Sequence, residues 1–216
     1  MNKICCALFD LDNTLYPRSC GLWEEIGRRI NLYMVERLGI DAAEVSGIRD
    51  KYLKSFGTTL NALRRFHSVD PDEFMNFVHD IPLRNFINPH PELDQLLGRM
   101  KLRKVIFTNA DAKHARRVLR RLGIIHHFEL IIDIHMIEFI NKPERRSYLK
   151  ALEYVSLRPE ECVLLEDLPV NILPARELGM TTILVSEKTS FNGAHYHIDN
   201  ILELDSVDAM KPFLEK

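Results

Sequence analysis

The chain has 216 residues, with 29 lysines and arginines against 31 aspartates and glutamates, and a formal net charge of −2. Hydrophobic residues make up 46% and charged residues 28%, the make-up of a folded protein with a sizeable core, which excludes disorder as a description of the whole. The balanced charge points to neither nucleic acid nor an anionic membrane as a partner, and no apolar run approaches the ~18 residues that cross a bilayer.

The run Met1-Asn2-Lys3-Ile4-Cys5-Cys6-Ala7-Leu8-Phe9-Asp10 has one basic residue and a short apolar stretch that runs into acids, unlike a signal peptide. Within it, Ile4 to Phe9 reads as a buried parallel strand. Residues 21 to about 80 differ, because apolar residues there recur at helical spacing. Ile26, Ile30, Tyr33, Met34 and Leu38 form one set and Leu53, Phe56, Leu60 and Leu63 a second, while Phe74, Phe77 and Val78 mark a third short helix. After Pro89 the pattern alternates. Glu92 to Met100 reads as a helix, Lys104 to Phe107 as a strand, Asp111 to Leu122 as a helix closed by Gly123, and Leu130 to Ile132 as a strand. Glu144 to Val155 is a helix behind Pro143, Cys162 to Leu165 a strand, Val170 to Leu178 a helix, and Thr182 to Val185 a strand. Tyr196 to Ile198 is a last short strand and Asp208 to Leu214 a terminal helix. Cys5, Cys6, Cys20 and Cys162 show neither a CxxC pair nor metal-ligand spacing and read as reduced thiols of a cytoplasmic protein.

Strands alternating with helices predict an α/β fold, a Rossmann-like parallel sheet with helices on both faces. The sheet core is expected at 1–16 and 88–216, with a helical cap inserted at 17–87. Ligands of such sheets bind beyond the carboxyl ends of the strands, and each expected strand end carries polar residues. Asp10 and Asp12 follow the first strand, Thr108 and Asn109 the second, Lys142 the third, and Glu166 and Asp167 the fourth, with Asn171 four residues on. Four gathered carboxylates repel one another unless a cation offsets them. Mg²⁺ suits all-oxygen ligands and is commonly completed by a substrate phosphate. Lys142 adds a compact positive charge for that phosphate. Carboxylates, a hard cation, a lysine and a hydroxyl describe a phosphoryl-transfer site, in which an aspartate can be the nucleophile.

Asp10-x-Asp12-x-Thr14, Thr108-Asn109, Lys142-Pro143 and Glu166-Asp167 resemble, in order, the four motifs of the haloacid dehalogenase (HAD) superfamily of phosphatases. The resemblance implies a HAD-type core, with Asp10 as nucleophile and Asp12 as general acid and base. It implies Mg²⁺ held by Asp10, the main-chain carbonyl of Asp12, Asp167 and Glu166. Thr108 and Asn109 would bind the phosphoryl group, and Lys142 would neutralise it together with Asp10. Dehalogenase members lack an acid at the position of Asp12, and the ATPase branch has Thr there. Asp10 to Pro17, Phe56 to Leu60, Asn109-Ala110-Asp111 with His114 and Arg117-Val118-Leu119, and Pro174 to Met180 are similar to the pyrimidine 5′-nucleotidase subfamily. That implies a helical cap and a small phosphorylated substrate such as UMP or CMP, in a monomer or homodimer. Where that subfamily often continues Lys-Pro with Asp-Pro, this chain has Glu144-Arg145. A sugar-phosphate phosphatase or phosphomutase of the same fold, and a silent phospholigand-binding module, are the alternatives.

Each site residue also has a plainer reading. Thr108 can cap the helix after it, and Asn171 can cap its own helix rather than orient Asp167 or Lys142. Gly57, Thr58 and Thr59 are candidates to contact substrate from the cap, or a helix–helix connection. Tyr16, Trp23, Tyr52, Phe56 and Phe66 are expected mostly in the cap core rather than stacked on a base. Arg116, Arg117, Arg120 and Arg121 read as a solvated helix face. His67, His79 and His90 lack metal-ligand spacing and are expected in surface or loop positions.

Overall fold

The computed structural model describes residues 4–187 and 191–215. Met1–Lys3, part of the N-terminal run read above, lie outside the described residues. In chain order the elements are β1 (Cys6–Phe9), α1 (Leu22–Leu38), α2 (Val45–Phe56), α3 (Thr59–His67), α4 (Pro71–Val78), α5 (Pro91–Arg99), β2 (Arg103–Phe107), α6 (Ala112–Leu122), β3 (Leu130–Ile132), α7 (Arg145–Val155), β4 (Cys162–Glu166), α8 (Pro169–Leu178), β5 (Thr181–Val185) and β6 (Tyr196–Ile198). They divide into two compact units, one of Met1–Cys20 with Ile87–Lys216, the other of Gly21–Phe86.

The larger unit is a six-stranded sheet in the order β3-β2-β1-β4-β5-β6, with every neighbouring pair parallel. Strand β1 lies between β2 and β4, with Leu8 level with Val105 on one side and Leu164 on the other. Its four residues are all buried, as expected of a parallel strand covered on both faces. Fully burying an aliphatic or aromatic side chain is worth about 1.5–3 kcal/mol; Leu8, Phe9, Val105, Ile106, Phe107, Leu164 and Leu165 are all enclosed. The strand order reverses direction at β1, so the carboxyl ends of β1 and β4 flank a switch point where a doubly wound sheet opens a crevice. Helices α5 and α8 carry proline in their first turn, and α6 is capped by Asp111, whose carboxylate accepts the His114 N–H at 2.9 Å.

The expected terminal helix at Asp208–Leu214 does not form. Short 3-10 turns occupy Ile201–Ser206 and Lys211–Phe213. Pro212 lacks an N–H for a helix interior, and Leu214 instead bridges Met100 antiparallel. The four cysteines are free thiols; burial pushes Cys6 and Cys162 up to about 12, which holds them as inert thiols. Among the described residues, no helix is long and apolar enough to cross a membrane.

The smaller unit contains four α-helices. Tyr33 and Met34 of α1 are buried, and Tyr33 meets Phe74 of α4 edge-on with ring centroids 5.1 Å apart. The second apolar set spans two helices, and Gly57-Thr58-Thr59 forms the helix–helix connection of its plainer reading. Gly57 at φ 72 ends α2, and the Thr58 hydroxyl accepts the Asn61 N–H at 3.2 Å to start α3. Leu53 of that set is exposed. The aromatic residues expected in this unit's core divide. Trp23 and Phe66 are exposed, and Tyr52 stacks on Phe66, while Phe56 meets it edge-on. His79, expected in a surface or loop position, lies in the turn that closes α4 and is buried there.

Candidate active site

The turn after β1 is built from alternating apolar and polar residues. Leu11, Leu15 and Tyr16 are buried and anchor it, and Asn13 takes the left-handed conformation at φ 64 that Asn tolerates. The Asp10 N–H donates to the Leu165 carbonyl at 2.9 Å, so Asp10 continues the β1–β4 ladder to its carboxyl end. Its carboxylate accepts the Thr14 hydroxyl at 3.2 Å on one oxygen and the Lys142 ammonium at 2.7 Å on the other.

Lys142 is 1% exposed. Its ammonium has three donors, and all are engaged: Asp10 at 2.7 Å, Glu166 at 2.6 Å and the Phe107 carbonyl at 2.9 Å. Burial alone would lower this amine, but the charges of Asp10 and Glu166 hold it protonated, well above the usual lysine range. Its main chain is fixed as firmly. The Asn109 amide oxygen accepts the Lys142 N–H at 2.9 Å, and both Asn109 and Asn141 donate to the Lys142 carbonyl, at 3.1 and 2.6 Å. The Lys142–Pro143 peptide bond is cis. Glu166 ends β4 with its second oxygen accepting the Leu168 N–H at 3.2 Å.

Asp10, Glu166 and Asp167 present carboxylate oxygens within 4.8 Å of one another. Three acids thus face one ammonium. Burial, followed by the Glu166 charge, pushes the Asp10 carboxyl well above the usual range against the pull of Lys142, and the same two causes raise Asp167 further. The set lacks positive charge and offers only oxygen donors, which fits a hard divalent cation. Asp12 points its Oδ1 at two donors, the Tyr16 hydroxyl at 2.5 Å and His114 Nε2 at 3.1 Å.

The structure therefore brings Asp10, Lys142, Glu166 and Asp167 together, with Asn109 behind Lys142 and Asp12 held by Tyr16 and His114. Thr108 is buried and its hydroxyl accepts the Ala110 N–H at 3.0 Å; Asp111, not Thr108, caps α6. Asn171 is likewise not a cap. It sits inside α8, buried, and its carbonyl accepts the Tyr148 hydroxyl at 2.6 Å. Gly57, Thr58 and Thr59 belong to the smaller unit, where Thr58 caps α3. The sequence reading missed the pairing of Tyr16 and His114 with Asp12, and the support of Asn141. The only sequence signal for His114 was its place in the Asn109-Ala110-Asp111 segment.

Over residues 4–179 the chain matches the family model described as "Hydrolase: haloacid dehalogenase-like hydrolase". It is 30% identical over 196 residues to a glyceraldehyde 3-phosphate phosphatase of Methanopyrus kandleri, covering 82% of each chain. It is 26% identical over 191 residues to Phosphate metabolism protein 8 of Saccharomyces cerevisiae, covering 82% of this chain but only 60% of the yeast protein. A crystal structure of a HAD phosphatase from Thermococcus onnurineus shares the fold, with a TM-score of 0.66 at 20% identity over 94% of this chain and 97% of the other.

Proposed function

The chain belongs to the haloacid dehalogenase-like hydrolase family, and from that membership we propose that it hydrolyses small phosphomonoesters through an aspartyl-phosphate on Asp10. The observation that carries the reading is the buried ammonium of Lys142, 2.7 Å from Asp10 and 2.6 Å from Glu166. An anionic nucleophile attacking an anionic phosphate needs a fixed countercharge beside it, and a preorganised one costs no reorganisation at the moment of reaction.

In this reading an Asp10 oxygen forms a bond to phosphorus as the bond to the leaving oxygen breaks. Asp12 gives that oxygen its proton. Asp12 then takes a proton from the water that attacks the aspartyl-phosphate, and inorganic phosphate leaves. Tyr16 and His114 keep the Asp12 carboxylate oriented for both transfers. Thr108 donates to the phosphoryl oxygens. Lys142, with its donors engaged, acts through charge on Asp10 rather than as a free hand to the substrate, and Asn109 acts by fixing Lys142. Mg²⁺, held by Asp10, Asp167, Glu166 and the Asp12 main-chain carbonyl, would supply the charge the carboxylates lack and polarise phosphoryl oxygens. The acid at position 12 favours phosphate chemistry over carbon–halogen cleavage.

For the substrate, the motif similarity to pyrimidine 5′-nucleotidases puts nucleoside monophosphates first, and the Methanopyrus relative sets triose phosphates beside them. The test is phosphate release from a panel of nucleoside monophosphates and sugar phosphates, with Mg²⁺ and with EDTA, for the wild-type chain and for Asp10→Asn. Mg²⁺-dependent release that Asp10→Asn abolishes supports the mechanism. Full activity in Asp10→Asn removes it, and an isomerised sugar phosphate with little free phosphate replaces the hydrolase by a mutase.

A further inference from the structure

The larger unit holds a second cluster of ligating side chains, remote in sequence from the carboxylates described above. Asp94 lies in α5. His126 and His127 end the 3-10 turn Ile125–His127, which leads into the amino end of β3. Asp10, Lys142 and Glu166, by contrast, follow or close the carboxyl ends of strands. Both imidazoles bring Nε2 close to the same oxygen, Asp94 Oδ1, His127 to 2.8 Å with a hydrogen bond and His126 to 3.2 Å. One ligand atom from each of the three residues lies within 4.8 Å of the others. The two rings sit 4.0 Å apart between centroids and tilt by 40°. Adjacent residues in extended chain point to opposite sides; the tight turn brings this pair to one side.

We propose that Asp94, His126 and His127 form a binding site for a borderline divalent transition ion of the Zn²⁺ type, separate from the carboxylate site. Three features carry this. The donor set of two imidazole nitrogens and one carboxylate oxygen suits Zn²⁺, Co²⁺ or Ni²⁺, whereas Mg²⁺ and Ca²⁺ want oxygen throughout. In a tetrahedral site with Zn–N and Zn–O near 2.0–2.2 Å, neighbouring donor atoms stand about 3.3 Å apart; the His126 pair already has 3.2 Å and the His127 pair opens by a few tenths. Burial is graded: the His127 side chain is 13% exposed and fixed, while Asp94 at 42% and His126 at 62% leave a path for the ion and for a completing water.

Without the ion, the Nε2 hydrogen of His127 goes to the Asp94 carboxylate at 2.8 Å, while His126 Nε2 stands 3.2 Å from the same oxygen without a hydrogen bond to it. With it, each ring carries its hydrogen on Nδ1 and turns the Nε2 lone pair to the metal, so no redox step or added reactant is involved. The ion would then tie α5 to the turn that precedes β3. The simpler alternative is the single His127–Asp94 hydrogen bond making the same tie with no metal affinity.

The experiment uses the full chain in excess Mg²⁺, which saturates oxygen-only sites. Zn²⁺ uptake is measured by competition with a chromophoric chelator, and Co²⁺ is added as a spectroscopic probe, for wild type, His126→Ala, His126→Ala/His127→Ala and Asp94→Asn. The expected result is one Zn²⁺ equivalent bound by wild type that is weakened in His126→Ala and absent from the other two, with tetrahedral Co²⁺ absorption lost in parallel. Zn²⁺ should raise the melting temperature of wild type and leave the double variant unmoved. Phosphate release should be unchanged in all of them. Equal Zn²⁺ stoichiometry and identical Co²⁺ spectra in wild type and double variant overturn the proposal. A metal-free loss of melting temperature without any difference in binding does the same, and assigns the cluster to hydrogen bonding. Because His126 is largely exposed, its single variant folds and keeps the test decisive.

Discussion

Asn109 holds Lys142 by the main chain across 33 residues of sequence, accepting its N–H at 2.9 Å and donating to its carbonyl at 3.1 Å. The loop after β2 thereby sets where the ammonium delivered by the loop after β3 can sit. Removing this clamp leaves the charges in place but frees the lysine to drift. Misplacement of a reacting group by ~1 Å can cost ~10²-fold in rate. Asn109→Ala is therefore expected to lower kcat by roughly that factor, with a smaller change in KM. Steady-state kinetics on the best substrate of the panel check this, and an unchanged kcat would sink the positioning role.

Lys142 also carries stability. Its removal leaves Asp10 and Glu166 buried without their countercharge, and breaking such a pair costs about 3–5 kcal/mol. Lys142→Met should lose that amount in urea denaturation under metal-free conditions. Adding Asp10→Asn to it should recover part of the loss, because one of the uncompensated charges is gone. Equal and additive losses in the two single variants and the double would show that the contact is energetically idle.

The raised carboxyls of Asp10 and Asp167 link stability to pH and to metal. A carboxyl raised in the folded state binds its proton more tightly there than in the unfolded chain. Its contribution is therefore favourable at low pH and is lost as pH climbs from the ordinary carboxylate value through the raised one. In EDTA, the melting temperature of wild type relative to Asp167→Asn is expected to fall as pH rises from about 4 to about 8. Mg²⁺ should cancel that fall, and its affinity should tighten with pH because it displaces the same protons. A gap between the two proteins that widens in favour of wild type as pH rises would contradict this assignment.

Thr58 separates a capping residue from a substrate contact. Its hydroxyl accepts the Asn61 N–H at 3.2 Å, and losing an N-cap costs about 0.5–2 kcal/mol. Thr58→Ala should lower stability by about 1 kcal/mol, while Thr58→Ser retains it, and neither should change KM. A KM effect in Thr58→Ala without loss of stability would restore the contact with substrate.

The sheet was readable because parallel strands buried on both faces must be runs of apolar residues, and Cys6–Phe9, Arg103–Phe107 and Cys162–Glu166 end where polar residues begin. The strand-end rule then pointed to Asp10, Glu166 and Asp167, and the structure gathers their side chains, with that of Lys142 from well beyond β3. What spacing did not disclose was where side chains spend their hydrogen bonds. Asn109 turns to a backbone rather than outward, and His114 reaches Asp12 across 102 residues. Neither contact has a local pattern. The break between α2 and α3 was legible in Gly57-Thr58-Thr59, readable as a helix–helix connection, and not in the apolar spacing: Leu53, Phe56, Leu60 and Leu63 keep helical spacing across Gly57, whose left-handed φ ends the helix.

The engagement of all three Lys142 donors reaches beyond turnover. An amine kept protonated and enclosed has no lone pair to offer an electrophile. Acylating reagents that modify the exposed lysines of this chain, such as Lys51 and Lys101, will pass Lys142 by. The residue on which the whole electrostatic arrangement depends is thus also, among the described residues, the lysine best shielded from covalent damage.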